Sequence, residues 1–319
     1  MTVTRDEVIW CYRTILEREP ESEDAIREKR KAHKNFSALR ASFLISMEGQ
    51  RKLKEHIPNF LPLGLPANEI EYDASPDRLS RFSATIKAAW THLGLVKPHF
   101  AVSTSNKYLP ENLSENIDSF WISGERIAAM LERMLKRHGF GSLETKTCID
   151  YGCGAGRVTM GLAPRFSRTH AYDISPSLLR LAEQRAQELE VREKCSFHLV
   201  NDLLDTFEDC DFFFSRIVFQ HNPPPMIAKM IENMLKSLKI GGMAIFQVPT
   251  YSIGYRFSID EWLDQDHALD MQMHCLPQHV IFSLISKEKC EILEVREDDS
   301  TGKADRWISN TFVVRRLKF

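Results

Sequence analysis

The residues best suited to chemistry lie in the stretch "CIDYGCGAGRV" at 148 to 158, where Asp150 is followed by Gly152, Gly154 and Gly156 at alternate positions. Alternating glycines let the backbone make turns closed to other residues, and they let a ligand approach main-chain N–H groups at the start of a helix. Two more acids follow, each closing an apolar run: Asp173 in "HAYDIS", 23 residues after Asp150, and Asp202 in "HLVNDLL". Three acids at the ends of three successive apolar runs behind a glycine loop place several hydrogen-bond acceptors at one edge. A fourth feature, "SRIVFQHNPPP" at 215 to 225, places His221 just past another apolar run. Histidine titrates near neutrality and suits proton transfer. The structural alternative for this stretch is punctuation, with Asn222 capping the next helix and Pro223 occupying its first turn.

These residues need elements to hold them at one edge. From about 140 onward the sequence alternates short β-rich runs ("TCIDYG", "THAYD", "CSFHLVN", "DFFFSRIVF", "GGMAIFQVP") with helical patterns at "RVTMGLAPRF", "SPSLLRLAEQRAQEL" and 223 to 238. Such alternation specifies crossover units and an α/β, doubly wound, mostly parallel sheet with helices on both faces. In the helix at 223 to 238, Ile227, Met230, Ile231, Met234, Leu235 and Leu238 form one stripe facing that sheet. The chain closes with "CEILEVRED" and "WISNTFVVRR", joined by the turn-rich "DSTGKAD", which reads as an antiparallel hairpin. Ligands bind such folds in the crevice at the carboxyl ends of the strands.

Upstream, three short helices are expected in 1–56, beginning with Thr4 and Glu7 at capping-box spacing and a stripe of Val8, Cys11, Tyr12, Ile15 and Leu16. Residues 57–75 read as a linker, because "IPNFLPLGLP" carries three prolines. Residues 76–140 read as a helical segment and lid leading into the core at 141–319.

The dinucleotide pattern G-x-G-x-x-G fails on this loop. Started at Gly152 its third glycine falls on Arg157, and started at Gly154 it falls on Thr159. The loop and its acids resemble instead the class I S-adenosylmethionine-dependent methyltransferases, whose first motif is similar to "DYGCGAGR". The similarity covers about 140 to 319. It implies a seven-stranded sheet with S-adenosylmethionine as cofactor, Asp173 on the ribose hydroxyls, and Asp202 with Leu203 at the adenine. The implied cofactor positions further include Tyr151, Cys153 and Arg157 in the loop, and Ile174, Asn201, Ser215 and Gln220 at neighbouring strand ends. "FWISGERIAAMLERML" resembles the helix these enzymes place before the loop, putting Ser123 and Gly124 at the methionine end.

"QHNPPP", "VPTY" and "ISNTF" are similar to a bacterial branch found with surface-glycan and O-antigen assembly enzymes. The stretch "VIWCYRTILEREPESED" resembles a small all-α module accompanying glycosyltransferases and methyltransferases of that kind. That resemblance implies O-methylation of a glycan or sugar-linked acceptor, with glycan-assembly proteins as partners of the helical module. An alcohol must lose its proton as it attacks, and a placed base adds roughly 10²–10⁴-fold. His221 is the first candidate base and His274 the second, with Tyr251, Tyr255 and Arg256 as sugar-binding side chains. The alternatives are N- or O-methylation of another small metabolite, and a non-catalytic S-adenosylmethionine-binding scaffold.

A net charge of −2 and a pI near 6.6 give no whole-chain attraction to nucleic acid or an anionic membrane. The basic run "REKRKAHK" at 27 to 34 reads as a solvated helix face. Seven cysteines, at 11, 148, 153, 195, 210, 275 and 290, lack zinc-type spacing and read as reduced thiols of a cytoplasmic protein, so no metal is expected. No basic leader with an apolar core opens the sequence, and no run approaches the roughly 18 apolar residues of a membrane span.

Overall fold

The computed structural model describes residues 3–56, 61, 64–265, 267, 271–302 and 306–318. It divides into two compact units between residues 63 and 64. Most of the expected linker at 57 to 66 lies outside the described residues.

The first unit contains α1 (Arg5–Ile15), α2 (Glu23–Ala32), α3 (Phe36–Ile45) and α4 (Met47–His56). Thr4 and Glu7 form the reciprocal capping box that opens α1. Val8, Cys11, Tyr12, Leu16, Ile26, Leu39 and Phe43 make its core. Four helices stand where three were expected. Ser46 takes an extended conformation, ending α3, and its Oγ accepts the Gly49 N–H at 3.0 Å, starting α4.

In the second unit β1 (Glu69–Ile70) precedes α5 (Pro76–Val96), α6 (Pro98–Ser103) and α7 (Leu113–Arg137). Then come β2 (Thr147–Tyr151), α8 (Thr159–Leu162), β3 (Arg168–Asp173), α9 (Pro176–Glu188), β4 (Cys195–Leu199), β5 (Cys210–Ser215) and α10 (Pro224–Lys236). The chain ends with β6 (Leu238–Ser252), β7 (Arg256–Phe257), α11 (Ile259–Leu263), α12 (Gln278–Lys287), β8 (Cys290–Asp298) and β9 (Trp307–Arg316). Seven strands form one sheet in the order β4-β3-β2-β5-β6-β9-β8, while β1 and β7 pair separately. All neighbours in the large sheet are parallel except β6 with β9 and β9 with β8. The terminal hairpin is therefore present, with its second strand inserted against β6.

Alternate residues of the central strands face opposite sides. Ile149, Phe213, Ala244 and Phe246 pack with the stripe of α10, while Cys148, Phe212, Phe214 and Ile245 pack with Ala128, Leu131 and Leu135 of α7. Because α7 packs on one face of β2, β5 and β6, the segment read as a lid is partly core. Among the described residues no helix is long and apolar enough to cross a membrane.

Three local expectations fail beside the sheet edge. The strand read through Phe219 stops at Ser215, since Ile217 has a left-handed φ of 59°. Its N–H leaves the ladder and donates to Gln247 Oε1 at 2.9 Å. Asn222 does not cap α10; Pro223 is the cap residue, and Asn222 Nδ2 donates back to the Val218 carbonyl at 2.9 Å. The helix expected over "RVTMGLAPRF" contracts to the four residues of α8.

Candidate active site

The strand order changes direction at β2, which has β3 on one side and β5 on the other, and the crevice there is built from the segments at the carboxyl ends of those strands. Gly152, Gly154 and Gly156 have φ of 72°, 57° and 80°, a region that L side chains rarely adopt. The Gly152 and Cys153 N–H groups donate to the Tyr172 carbonyl at 2.8 and 3.0 Å, tying the loop to β3. Protein neighbours also require these glycines: a Cβ on Gly152 would lie 2.2 Å from Val218 Cγ2, and one on Gly154 would lie 2.5 Å from Val102 Cγ2.

A cleft opens at this edge, where ligands of such folds bind. Of the expected cofactor positions, Tyr151, Gly152, Gly154, Asp173, Ile174 and Leu203 line it. Asp173 is buried against the loop, where its Oδ2 accepts the Gly154 N–H at 2.7 Å and its Oδ1 the Ser175 N–H at 2.8 Å. Burial pushes its carboxyl up to about 6, against the pull of those N–H bonds. Two buried polar atoms of the cleft walls, the Tyr151 hydroxyl and Asn222 Oδ1, have no hydrogen-bond partner among the described residues. Either would gain from a ligand that meets it.

Asp150, Cys153 and Arg157 line a smaller recess that shares Gly152, Val102 and Arg216 with the cleft. Asp150 Oδ2 accepts from Thr159 Oγ1 at 2.6 Å, clamping the far end of the loop, and burial raises this carboxyl to about 6 as well. Arg157 Nη1 donates to Ser123 Oγ at 2.9 Å. Gly124 faces the loop backbone, since a Cβ there would lie 1.8 Å from the Arg157 carbonyl oxygen. Ser123 and Gly124 thus brace the loop and line neither cavity.

Asp202 is turned toward α5. Its Oδ1 accepts from Ser83 Oγ at 2.9 Å and the Leu204 N–H at 3.0 Å, while Ser83 Oγ accepts the Leu203 N–H at 3.2 Å. Lys87 Nζ donates to the Asn201 carbonyl at 3.0 Å. The carboxylate read as an adenine contact is in this structure the anchor of a helix that roofs the cleft with Ile86 and Trp90. Ser215 Oγ donates to the Tyr151 carbonyl at 3.1 Å.

The two histidines lie behind the cleft wall. His221 is buried, with Nδ1 2.8 Å from the Gln272 carbonyl and Nε2 3.3 Å from Gln220 Nε2. Gln247 Nε2 in turn donates to Gln220 Oε1 at 3.0 Å and to Ser309 Oγ at 2.7 Å. This chain assigns the proton to Nδ1 and points the Gln220 amide at the Nε2 lone pair. Burial lowers the imidazole to about 4, so it is neutral at physiological pH. His274 has Nδ1 2.8 Å from the Tyr255 hydroxyl and Nε2 3.2 Å from Gln272 Oε1, and burial, then His221 and His267, lower it to about 3. Tyr251 donates to the Pro66 carbonyl and Arg256 pairs with Glu261 on the surface. None of these five lines the cleft or the recess.

Trp90, Val102, Leu178, Arg216 and Asn222 line the cleft without having been read as site residues. Arg216 had a signal, being the first residue past β5 at the carboxyl edge.

The β4-β3-β2-β5-β6-β9-β8 arrangement, the glycine loop and the acid closing its neighbouring strand define a Rossmann-like methyltransferase fold. Residues 148–242 match the family described as "Methyltransferase domain". The magnesium protoporphyrin IX methyltransferase of Synechocystis PCC 6803, solved with bound S-adenosylmethionine, superposes with a TM-score of 0.52 at 15% identity, over 76% of this chain and 99% of that one. The ubiquinone biosynthesis O-methyltransferase of Hydrogenovibrio crunogenus is 31% identical over 110 residues, 34% of this chain and 44% of that protein. The protein of the same name from Coxiella burnetii is 22% identical over 177 residues, 55% of this chain and 63% of its own length. The chain thus spans less than two thirds of these curated relatives.

Proposed function

We propose that this chain is an S-adenosylmethionine-dependent methyltransferase acting on an oxygen of a small-molecule acceptor. The observation that carries the reading is Asp173, held between two backbone N–H groups at the mouth of a left-handed glycine loop, with lone pairs left for a ribose diol. Tyr151 and Asn222 supply further polar atoms that a nucleoside or its acceptor would satisfy. When bound, the cofactor supplies an electrophilic methyl group. The protein's part is to hold donor and acceptor aligned and dry, worth roughly 7–11 kcal/mol in ideal cases. The relatives' names place the accepting atom at oxygen in those proteins, and that is all we carry over.

A sugar-linked acceptor loses its support here, because Tyr251, Tyr255 and Arg256 are engaged away from the cleft. His221 takes a positioning role in place of the base: its ring packs 5.1 Å from Trp90, centroid to centroid, and so backs the cleft wall.

In thermal-shift and calorimetric titrations, S-adenosylmethionine and S-adenosylhomocysteine should each bind and raise Tm, a ligand at 100 times its Kd adding about 2.7 kcal/mol. Stabilisation by NAD alone would overturn the proposal. Cofactor affinity should also depend on pH. The ionised Asp173 accepts from both hydroxyls, and its carboxyl titrates at about 6. Lowering the pH by one unit below that value should weaken binding about tenfold, with a plateau above about pH 7. A flat profile in calorimetry would remove Asp173 from the ribose.

A further inference from the structure

Resting on the methyltransferase reading, we infer that the acceptor is a carboxylic acid on an apolar body, held by Arg216 and methylated as its anion. Among the described residues lining the cleft, the titratable groups are Tyr151, Asp173 and Arg216. Asp173 is fixed on the glycine-loop side by Gly154 and Ser175, and burial pushes the Tyr151 hydroxyl well above its ordinary range. The imidazoles of His221 and His274 lie behind the wall with both nitrogens of each engaged. The acceptor side thus offers a cation and no group suited to take a proton from an alcohol.

Arg216 follows the last residue of β5 and lines both the cleft and the recess. Its partners are weak ones: Nε donates to Ser300 Oγ at 3.3 Å, and Nη2 lies 3.8 Å from Asp299, whose side chain is 96% exposed. Arg157, in the same recess, adds a second positive charge, and burial followed by repulsion from Arg216 lowers its pKa. The cleft that Arg216 lines carries an apolar side in Ile86, Trp90 and Val102. A planar guanidinium on such a rim matches a carboxylate carried by an apolar group.

The chemistry closes without a base. A carboxylic acid, with an ordinary pKa of about 4, is ionised at neutral pH. With one carboxylate oxygen on Arg216, the other attacks the methyl carbon in line. The new O–C bond forms as the C–S bond breaks, the bonding pair leaves with sulfur, and a methyl ester and a neutral thioether result. No proton moves. One positive and one negative charge disappear together, which an apolar cleft favours over water.

The main rival for Arg216 is the cofactor's own carboxylate, and calorimetry at neutral pH separates the two. Wild-type protein and the Arg216→Gln and Arg216→Lys variants are titrated with S-adenosylhomocysteine, and the saturated complexes then with benzoate and with benzyl alcohol. Benzoate should bind wild type at least about tenfold more tightly than benzyl alcohol, and Arg216→Gln should remove that preference while Arg216→Lys keeps part of it. Affinity for S-adenosylhomocysteine should stay within about twofold of wild type in both variants. Equal binding of benzoate and benzyl alcohol, no benzoate binding, or benzoate binding indifferent to Arg216→Gln each overturn the inference. So does a large loss of S-adenosylhomocysteine affinity in Arg216→Gln, which would give the guanidinium to the cofactor. A wild-type protein that binds no S-adenosylhomocysteine would instead bring down the methyltransferase reading itself.

Discussion

Asp173→Ala should lose S-adenosylhomocysteine affinity by on the order of 100-fold or more, since hydrogen bonds to a charged group contribute about 1.5–3 kcal/mol each and the ribose diol offers two. The same change strips the Gly154 and Ser175 N–H groups of their acceptor, so a lower Tm is expected alongside. Calorimetry at a temperature where circular dichroism shows the variant folded separates the two effects. Unchanged affinity in the folded variant would leave the glycine loop without its ribose partner.

The second large effect is expected where α7 braces the glycine loop. Gly124 lies inside α7, where alanine normally stabilises a helix by about 1 kcal/mol. Here a Cβ would lie 1.8 Å from the Arg157 carbonyl oxygen and 2.6 Å from its carbon, both backbone atoms that no rotamer change can move. Helix and loop must separate, and overpacking of this kind costs about 1–3 kcal/mol, occasionally more. Gly124→Ala should therefore lower Tm and weaken cofactor binding together. A raised Tm in thermal denaturation would show that α7 and the loop have room to spare.

The sheet was readable because its signals are local: apolar runs of strand length, a glycine cluster at a strand end, and helical stripes between them. The surroundings of Asp173 were readable for the same reason, since it ends β3 and meets a loop about twenty residues away in sequence. Those of Asp202 and His221 were not. Their residue types are as informative as that of Asp173, but their partners, Ser83 and Gln272, are 119 and 51 residues distant and arrive from segments whose docking no periodicity encodes. Asn222 misled through a sound local rule, because the following Pro223 took the cap position that its side chain would ordinarily fill.

The left-handed turn at Ile217 makes the cleft's two walls unequal in how they can change. A β-branched residue there is strained by about 1–3 kcal/mol, and Gln247 holds it while also bonding Gln220 and Ser309. That wall is cast in one piece with the sheet, so a substitution in any of its amides disturbs the others. The opposite wall, α5, meets the strand ends through the hydroxyl of Ser83 and the ammonium of Lys87, while Phe82 and Ile86 of the same helix pack into the core. Variation in what the cleft holds should accumulate on the α5 side, at Ile86 and Trp90, and spare β6.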